Sequence, residues 1–364
     1  MRARELINEN YDTSEARIAH VEDLVLHGSK GVSRAIAVLT QALDSSSSIS
    51  FKPDGKPAVK WGRVNGAFVF GDRYMDPLPT SPKELAGILN SRRGGGREDL
   101  VKMYASLWST FESSIDSSFS GIVFGDLMYT QKPPVKNGSL HFKPNTVEYS
   151  VPLDSDVGRV IAASSVGVVA HTFLPEDSRV GKHIDNPSNI PGLKTAGELA
   201  VLADSIDIGS IKPPKELKQL SSKLASQGRA LDQLLDPTHL TQIKAKALPG
   251  LIQKYINDRV RSRSFNNLAR DFFSWIEINS TSSMKDKILN LAGENSQGFE
   301  ALFGLFIDIA TAKASIINQL DQMSSGLDAS VNGAKGHEGY LVHTKQGPIK
   351  LIDRFKFSAA NFEK

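Results

Sequence analysis

The spacing of apolar and polar residues changes along the chain and divides it into four regions. In residues 1–45 apolar positions recur at helical spacing, which predicts two N-terminal helices. From about 46 to 175 the pattern becomes that of short strands, with turn-forming residues between them. Residues from about 190 to 328 return to helical spacing, and 337–357 return to strands. We therefore expect a sheet-containing part interrupted by a helical part.

Individual elements follow from the same pattern. Asn-Gly and Pro-Asp-Gly turns separate several of the apolar runs in the second region, as expected for hairpins. We predict strands at 49–52, 57–63, 66–72, 121–129, 139–143, 146–151 and 166–173, with one helix at 98–115. We predict further helices at 195–204, 214–227, 240–262, 266–278, 284–293 and 298–323, and strands at 339–344 and 347–357.

The order of these elements indicates an α+β fold. The simplest topology is one domain whose sheet is completed by the C-terminal strands, with an all-helical insertion at 190–328. In this division 1–45 forms N-terminal helices, 46–189 the first part of the core, and 329–364 its last strands.

The composition excludes several kinds of chemistry and says less about the fold. The chain has no cysteine, which excludes disulfide scaffolds, cysteine-ligated zinc and thiol nucleophiles. No apolar run approaches the ~18 residues of a membrane span, and the first residues lack the apolar segment of a signal peptide. We expect a soluble, cytoplasmic protein without membrane partners. The net charge of +3 is too small by itself to indicate nucleic-acid binding.

Common nucleotide-binding and hydrolase motifs are absent, but four short segments stand in a suggestive order. Each lies at the end or the start of a predicted strand. They are Lys52-Pro53-Asp54-Gly55, Phe124-Gly125-Asp126-Leu127, Glu338-Gly339, and Ile349-Lys350-Leu351 followed by Arg354.

This order resembles the covalent nucleotidyltransferase superfamily, which comprises ATP-dependent DNA and RNA ligases and mRNA capping enzymes. Its first motif is K-x-D-G, followed by an acidic residue after glycine, an E-G pair before a strand, and a lysine-containing strand. The resemblance implies a ligase-type adenylylation domain with antiparallel sheets. It covers about 49–175 and 337–357, and neither the N-terminal helices nor the helical block.

The resemblance also assigns roles to these residues. Lys52 would attack the α-phosphate of ATP, release pyrophosphate and hold AMP as a phosphoramidate. Because a lysine attacks only as the neutral amine, the pKa of such a group, about 10.4 in water, has to fall. Lys350, as a second catalytic residue, and Arg354 would contact phosphate. Asp126 and Glu338 would hold Mg²⁺, a cation that prefers oxygen ligands.

The resemblance assigns four further residues to nucleotide binding. Asp54 and Gly55 would form the turn that orients Lys52. Tyr149, on a predicted strand, would stack on the base, and Arg63 would lie near the sugar or a phosphate.

The resemblance has departures that leave alternatives open. DNA ligases and capping enzymes commonly have arginine where this chain has Pro57, and Asp126 is one methylene shorter than the usual glutamate. Few residues follow Arg354, so no C-terminal OB domain is expected. The missing arginine and the missing OB domain both favour an RNA ligase over a DNA ligase. The alternatives are nucleotidyl transfer to another acceptor, as in capping, and a non-catalytic nucleic-acid-binding protein with a decayed ligase domain.

Each segment also has an ordinary structural interpretation. Pro-Asp-Gly is a common hairpin turn, and Lys350 alternates with apolar neighbours as an outward strand residue does. His171, at the end of a predicted strand, is either a polar site residue or a buried histidine.

Two basic segments are candidates for contacting an RNA or DNA strand through its phosphates. One is a glycine-rich loop with Arg92, Arg93 and Arg97, and the other is a helix end with Arg259, Arg261 and Arg263. A solvated loop and a favourable helix C-terminus explain the same residues equally simply. Protein partners are not predicted.

Overall fold

The structure is a computed structural model and describes residues 19–44, 49–92, 98–178, 180–206, 209–262, 264, 266–323, 327–331 and 334–354. Its strands are β1 (Ile49–Phe51), β2 (Ala58–Val64), β3 (Ala67–Asp72), β4 (Gly121–Tyr129), β5 (Val135–Lys136), β6 (Ser139–Phe142), β7 (Glu148–Pro152), β8 (Val166–Leu174), β9 (Lys182–His183), β10 (Leu199–Leu202), β11 (Asp328–Val331), β12 (Ala334–Lys335), β13 (Tyr340–Thr344) and β14 (Gly347–Leu351).

The α-helices are α1 (Gly28–Gln41), α2 (Pro82–Ser91), α3 (Glu98–Ser113), α4 (Asp156–Ala163), α5 (Lys215–Leu234), α6 (Pro237–Gln242), α7 (Leu248–Arg261), α8 (Leu268–Asn279), α9 (Ser282–Glu294) and α10 (Ser296–Leu320). Two 3₁₀ helices cover Val21–His27 and Pro187–Asn189. No described helix combines the length and the apolar character that a membrane span requires.

The chain folds into two compact units, each built from segments that are distant in sequence. The described residues of unit 1 lie within 50–207 and 324–338, and those of unit 2 lie within 18–49, 208–323 and 339–364. The β13–β14 hairpin thus belongs to the same unit as most of the helices. The sequence predicts that this hairpin completes the sheet of the second region; it lies instead in a separate three-stranded sheet, in the order β1-β13-β14.

Unit 1 contains a six-stranded sheet in the order β10-β8-β4-β2-β3, with β9 beside β8. Strand β4 is antiparallel to both neighbours and places Asp126 between Ala58 of β2 and Val169 of β8. Strand β10 runs parallel to β8, so the sheet is mixed. The resemblance implies antiparallel sheets, and the parallel β8–β10 pair departs from that expectation at this edge.

The helix predicted at 195–204 was also wrong, because this segment contains β10. All four residues of Leu199–Leu202 are buried. A short, continuously apolar run of this kind is typical of a parallel strand covered on both faces. Spacing alone cannot distinguish such a run from a piece of buried helix.

The core of unit 1 lies between this sheet and α2 and α3. Phe70 of β3 stacks on Phe111 of α3 with ring centroids 4.5 Å apart, and Trp61 of β2 meets Phe111 edge-on at 5.1 Å. A second sheet, in the order β12-β11-β7-β6-β5, joins residues after 327 to the middle of the chain. This pairing brings the segment that ends at Glu338 into unit 1.

Unit 2 is helical around α10, whose apolar residues are buried along most of its length. It also contains a buried charge cluster. Lys313 of α10 donates to Glu22 at 2.7 Å, and both side chains are at most 2% exposed. Arg354 lies 3.5 Å from Glu22 and forms two hydrogen bonds with Asp23. The cluster ties the first 3₁₀ helix to α10 and to the segment after β14.

We expect the loss of one member of this cluster to destabilise unit 2. Lys313→Met leaves Glu22 buried with less compensating charge, at a cost of about 3–5 kcal/mol. The matched control is Lys223→Met, which breaks the pair between Lys223 of α5 and Asp308 of α10. Because Lys223 is 42% exposed, we expect this variant to lower the free energy of unfolding by about 1 kcal/mol or less. Hydrogen exchange of peptides from α10, measured against urea, gives both values. Equal effects of the two variants would contradict a structural role for the buried cluster.

Candidate active site

The candidate site of unit 1 centres on an ion pair between two residues far apart in sequence. Lys52 directly follows β1, and Glu338 lies two residues before β13. The Nζ atom of Lys52 donates to Oε2 of Glu338 at 2.5 Å across a separation of 286 residues. The side chains are 25% and 13% exposed, so a ligand can reach the pair.

Asp126 of β4 lies beside the turn that follows Lys52. The backbone N–H of Lys56 donates to Leu127 O at 2.9 Å, and that of Leu127 donates to Pro57 O at 3.0 Å. A Cβ atom on Gly55 would lie 2.6 Å from the Cβ of Asp126. Because no real side chain fits at that distance, the turn needs glycine at position 55 to lie this close to β4.

The charges around Asp126 show that it shares the environment of the ion pair. Burial raises the pKa of Asp126 to about 7, and the negative charges of Glu338 and Asp54 add to this rise. The positive charges of Lys52 and Arg73 oppose it. Lys52 contacts Glu338, and Asp126 lies against the turn that follows Lys52, so these three predicted residues share one region of unit 1.

Asp54 holds the turn in place. Its carboxylate accepts hydrogen bonds from the side-chain amide of Asn145 at 2.8 Å and from the backbone N–H groups of Thr146 and Val147 at 2.5 and 2.7 Å. The residue is only 5% exposed. These contacts fix the backbone that carries Lys52 and leave Asp54 little surface for a nucleotide.

Tyr149 does not take the predicted position for stacking on a base. It is fully buried in β7, and its ring stacks on Phe142 with centroids 5.3 Å apart. Its hydroxyl accepts a hydrogen bond from the backbone N–H of Asp54 at 3.0 Å. Tyr149 thus supports the turn from within the core, with Phe142 of β6 stacked on its ring and the ring of His337 6.3 Å away.

Arg63 is not brought to this cluster. It lies near the far end of β2, where it pairs with Gly121, whereas Asp126 faces Ala58 at the near end. Five residues of a strand span roughly 16 Å. Its guanidinium donates to the backbone carbonyls of Asp116 and Gly66, at 2.9 and 3.1 Å.

Lys350 and Arg354 lie in unit 2. The backbone N–H of Lys350, on β14, donates to Ala19 O at 3.0 Å. Arg354 is 6% exposed and is held by Asp23 and Glu22, so it stabilises unit 2 and is not presented to a phosphate. Burial lowers the pKa of the neighbouring His20 to about 2, and Arg354 adds to this effect.

The described members of the two basic segments pair with carboxylates. In unit 1, the guanidinium of Arg92 donates two hydrogen bonds to the carboxylate of Asp72 of β3. In unit 2, Arg259 donates to Asp271 at 2.9 Å and Arg261 to Asp258 at 3.3 Å. The other predicted members, Arg93, Arg97 and Arg263, lie outside the described residues.

A metal could be held here only with help from its substrate. Among the residues that the structure describes, no group of three or more histidine or acidic side chains is arranged to hold a metal ion. Mg²⁺ is commonly bound by one or two carboxylates together with substrate phosphates and water. Asp126 and Glu338 fit that donor set.

Comparison with known proteins gives one positive result. Residues 97–364, more than half of the chain, match the model described as "Family of unknown function (DUF6267)". The chain belongs to this family. No curated protein matches the chain, and no solved structure matches it.

The matched part of the DUF6267 chain does not contain the whole candidate site. Asp126, Glu338 and Lys350 lie within residues 97–364, whereas Lys52 and the turn at Asp54 precede them. The geometry of the site thus depends on residues on both sides of that boundary.

Sequence reasoning missed three residues near the site. Asn145 holds Asp54, and its position in the turn sequence Pro144-Asn145 was the available signal. His183 and Asp204 lie with their Nε2 and Oδ1 atoms 3.6 Å apart. His183 ends the two-residue strand β9, and Asp204 lies two residues after β10. Neither strand was predicted, so nothing in the sequence marked these two residues.

We expect Asp54→Asn to loosen the segment that it holds. The loss of the charge weakens three hydrogen bonds, and bonds to a charged group are worth about 1.5–3 kcal/mol each. The amides of Thr146 and Val147 should exchange with solvent at least tenfold faster in native-state hydrogen exchange. Asp154→Asn, at an exposed position of the same unit, is the control and should change neither amide. Unchanged protection in Asp54→Asn would contradict the structural role.

Proposed function

We propose that the protein is an ATP-dependent polynucleotide ligase that acts through a covalent Lys52–AMP intermediate. The proposal includes a ligase-type adenylylation fold for the part that contains Lys52. The observation that carries it is the contact of the Lys52 amine with Glu338 at 2.5 Å, beside Asp126. A nucleophilic lysine next to two acidic residues is the arrangement that the order of the four segments implies.

The side chains suit the first step of such a reaction. The Lys52 Nζ atom attacks the α-phosphorus of ATP; a nitrogen–phosphorus bond forms, the bond to the bridging oxygen breaks, and pyrophosphate leaves. Lys52 must first lose a proton, and Oε2 of Glu338 is an acceptor within hydrogen-bond distance. Asp126 and Glu338 would hold Mg²⁺, which supplies positive charge to the phosphates when bound.

The second half of the reaction would transfer AMP from Lys52 to the 5′ end of a strand. RNA is favoured over DNA because Pro57 stands where DNA ligases and capping enzymes commonly have arginine. Lys350 remains a predicted phosphate contact. The basic residues predicted to bind the strand remain a prediction, since those described here are engaged with carboxylates.

Covalent labelling tests the proposal directly. Incubation with ATP labelled at the α-phosphate, in the presence of Mg²⁺, should leave about one label per chain. Lys52→Ala and Lys52→Arg should abolish it, because neither side chain forms a lysyl phosphoramidate. Glu338→Gln should reduce the rate at least tenfold, since the amide neither accepts the proton nor provides charge. Mass spectrometry of the labelled peptide locates the adduct.

Lys56→Ala is the matched control. Lys56 lies four residues from Lys52 on the same turn and is exposed, so its loss should leave the labelling intact. A preparation that takes up no label from ATP, GTP or NAD would refute the proposal and favour a non-catalytic binding protein. Labelling without joining of nicked RNA or DNA would instead favour transfer to another acceptor, as in capping.

A further inference from the structure

Two aromatic rings stack directly beside the Lys52–Glu338 ion pair. Phe51 precedes Lys52 in the chain and His337 precedes Glu338, and the centroids of their rings are 4.5 Å apart at an interplanar angle of 22°. Phe51 is fully buried, and its backbone N–H donates to Asp204 O at 2.9 Å. Since successive residues of a strand point to opposite sides, the end of β1 turns Phe51 into the core and Lys52 out of it.

A further ring connects this stack to the other end of the segment that carries Lys52. The ring of His337 lies 6.3 Å from that of Tyr149, measured between centroids. The Tyr149 hydroxyl accepts the backbone N–H of Asp54 at 3.0 Å. The residues on both sides of Lys52 are therefore anchored, and the ring of His337 lies between the two aromatic anchors, Phe51 and Tyr149.

An ion pair of this kind depends on where its two backbones lie. Lysine and glutamate have long side chains that lose rotamer freedom when they pair, and this loss cancels much of the attraction between partly exposed charges. The loss is smaller when both side chains start from fixed, neighbouring points. The Phe51–His337 stack supplies such points, because each of its rings is one residue away from a member of the pair.

We propose that the Phe51–His337 stack positions Glu338 at the Lys52 amine and thereby controls how reactive that amine is. His337 is a positioning residue in this assignment, because it acts through Glu338. The inference deepens the proposed function and rests on it for the role of Lys52 as the nucleophile. The contact between Lys52 and Glu338 exists without a nucleotide, so the positioning can be measured by itself.

Acylation of lysine amines by acetic anhydride tests the positioning without ATP. Mass spectrometry gives the rate for each lysine, and an amine that a carboxylate holds as the ammonium ion reacts slowly. Glu338→Gln should raise the acylation rate of Lys52 about 2- to 5-fold, the effect of one partly exposed ion pair. His337→Ala should raise it in the same way. Lys56, exposed on the same turn, is the internal control and should react at an unchanged rate.

A double variant shows whether His337 acts through Glu338. If it does, His337→Ala combined with Glu338→Gln should acylate Lys52 no faster than Glu338→Gln alone, because the contact is already lost. His337→Phe keeps an aromatic ring and should restore the wild-type rate. Phe51→Leu removes the other ring of the stack but keeps an apolar residue in the core. It should match His337→Ala, and it replaces that variant if His337→Ala does not fold.

Three results would overturn the assignment. The first is an unchanged acylation rate of Lys52 in folded His337→Ala and Phe51→Leu. The second is an effect of His337→Ala that adds to that of Glu338→Gln, since His337 would then act by another route. The third is a His337→Phe variant that behaves like His337→Ala, because an aromatic ring at this position would then not be what positions Glu338.

Labelling with ATP keeps this inference separate from the proposed function. His337→Ala should lower the rate of Lys52–AMP formation at saturating ATP about 3- to 10-fold, and His337→Phe should recover it. If the wild type takes up no label, the proposed function fails, and the acylation rates still decide whether the stack positions Glu338. If the wild type is labelled and the acylation rates do not respond to His337→Ala, the positioning alone is refuted.

Discussion

The buried carboxylate of Asp54 determines where Lys52 can lie. It accepts hydrogen bonds from Asn145, Thr146 and Val147, and Tyr149 receives the backbone N–H of the same residue. A buried charge is tolerated only when donors of this kind surround it. The turn after β1 is therefore bound to the segment before β7, and Gly55 allows the same turn to lie directly against Asp126. Lys52 thereby leaves β1 in a fixed direction, toward Glu338.

The close packing at Gly55 also bears on the short side chain of Asp126. Its Cβ would be 2.6 Å from a Cβ at position 55, so the start of this side chain is pressed against the turn. A carboxylate on one methylene extends from a fixed point near Lys52. The turn therefore leaves the Asp126 side chain little freedom at its base.

The sequence predicted the strands of unit 1 well, since those with clear turns, such as β2, β3 and β4, begin and end within a residue or two of expectation. It also singled out Lys52, Asp126 and Glu338, which the structure places in one region of unit 1; their roles stay a prediction. The predicted roles were wrong where they depend on which other side chains a residue contacts in the folded protein. Tyr149 and Arg354 have suitable residue types, but the first is enclosed by β-strands and the second by carboxylates. Residue order carries no information about such partners, and β10 shows the same limit for a short buried strand.

The division of the chain between two units has a consequence for synthesis. Unit 1 requires residues up to Glu338 to complete its ion pair, and unit 2 requires Arg354 to complete its charge cluster. Contacts of such long sequence separation form late, because the intervening chain must first be brought together. Neither unit can finish folding while the ribosome is still making the segment from 327 to 354.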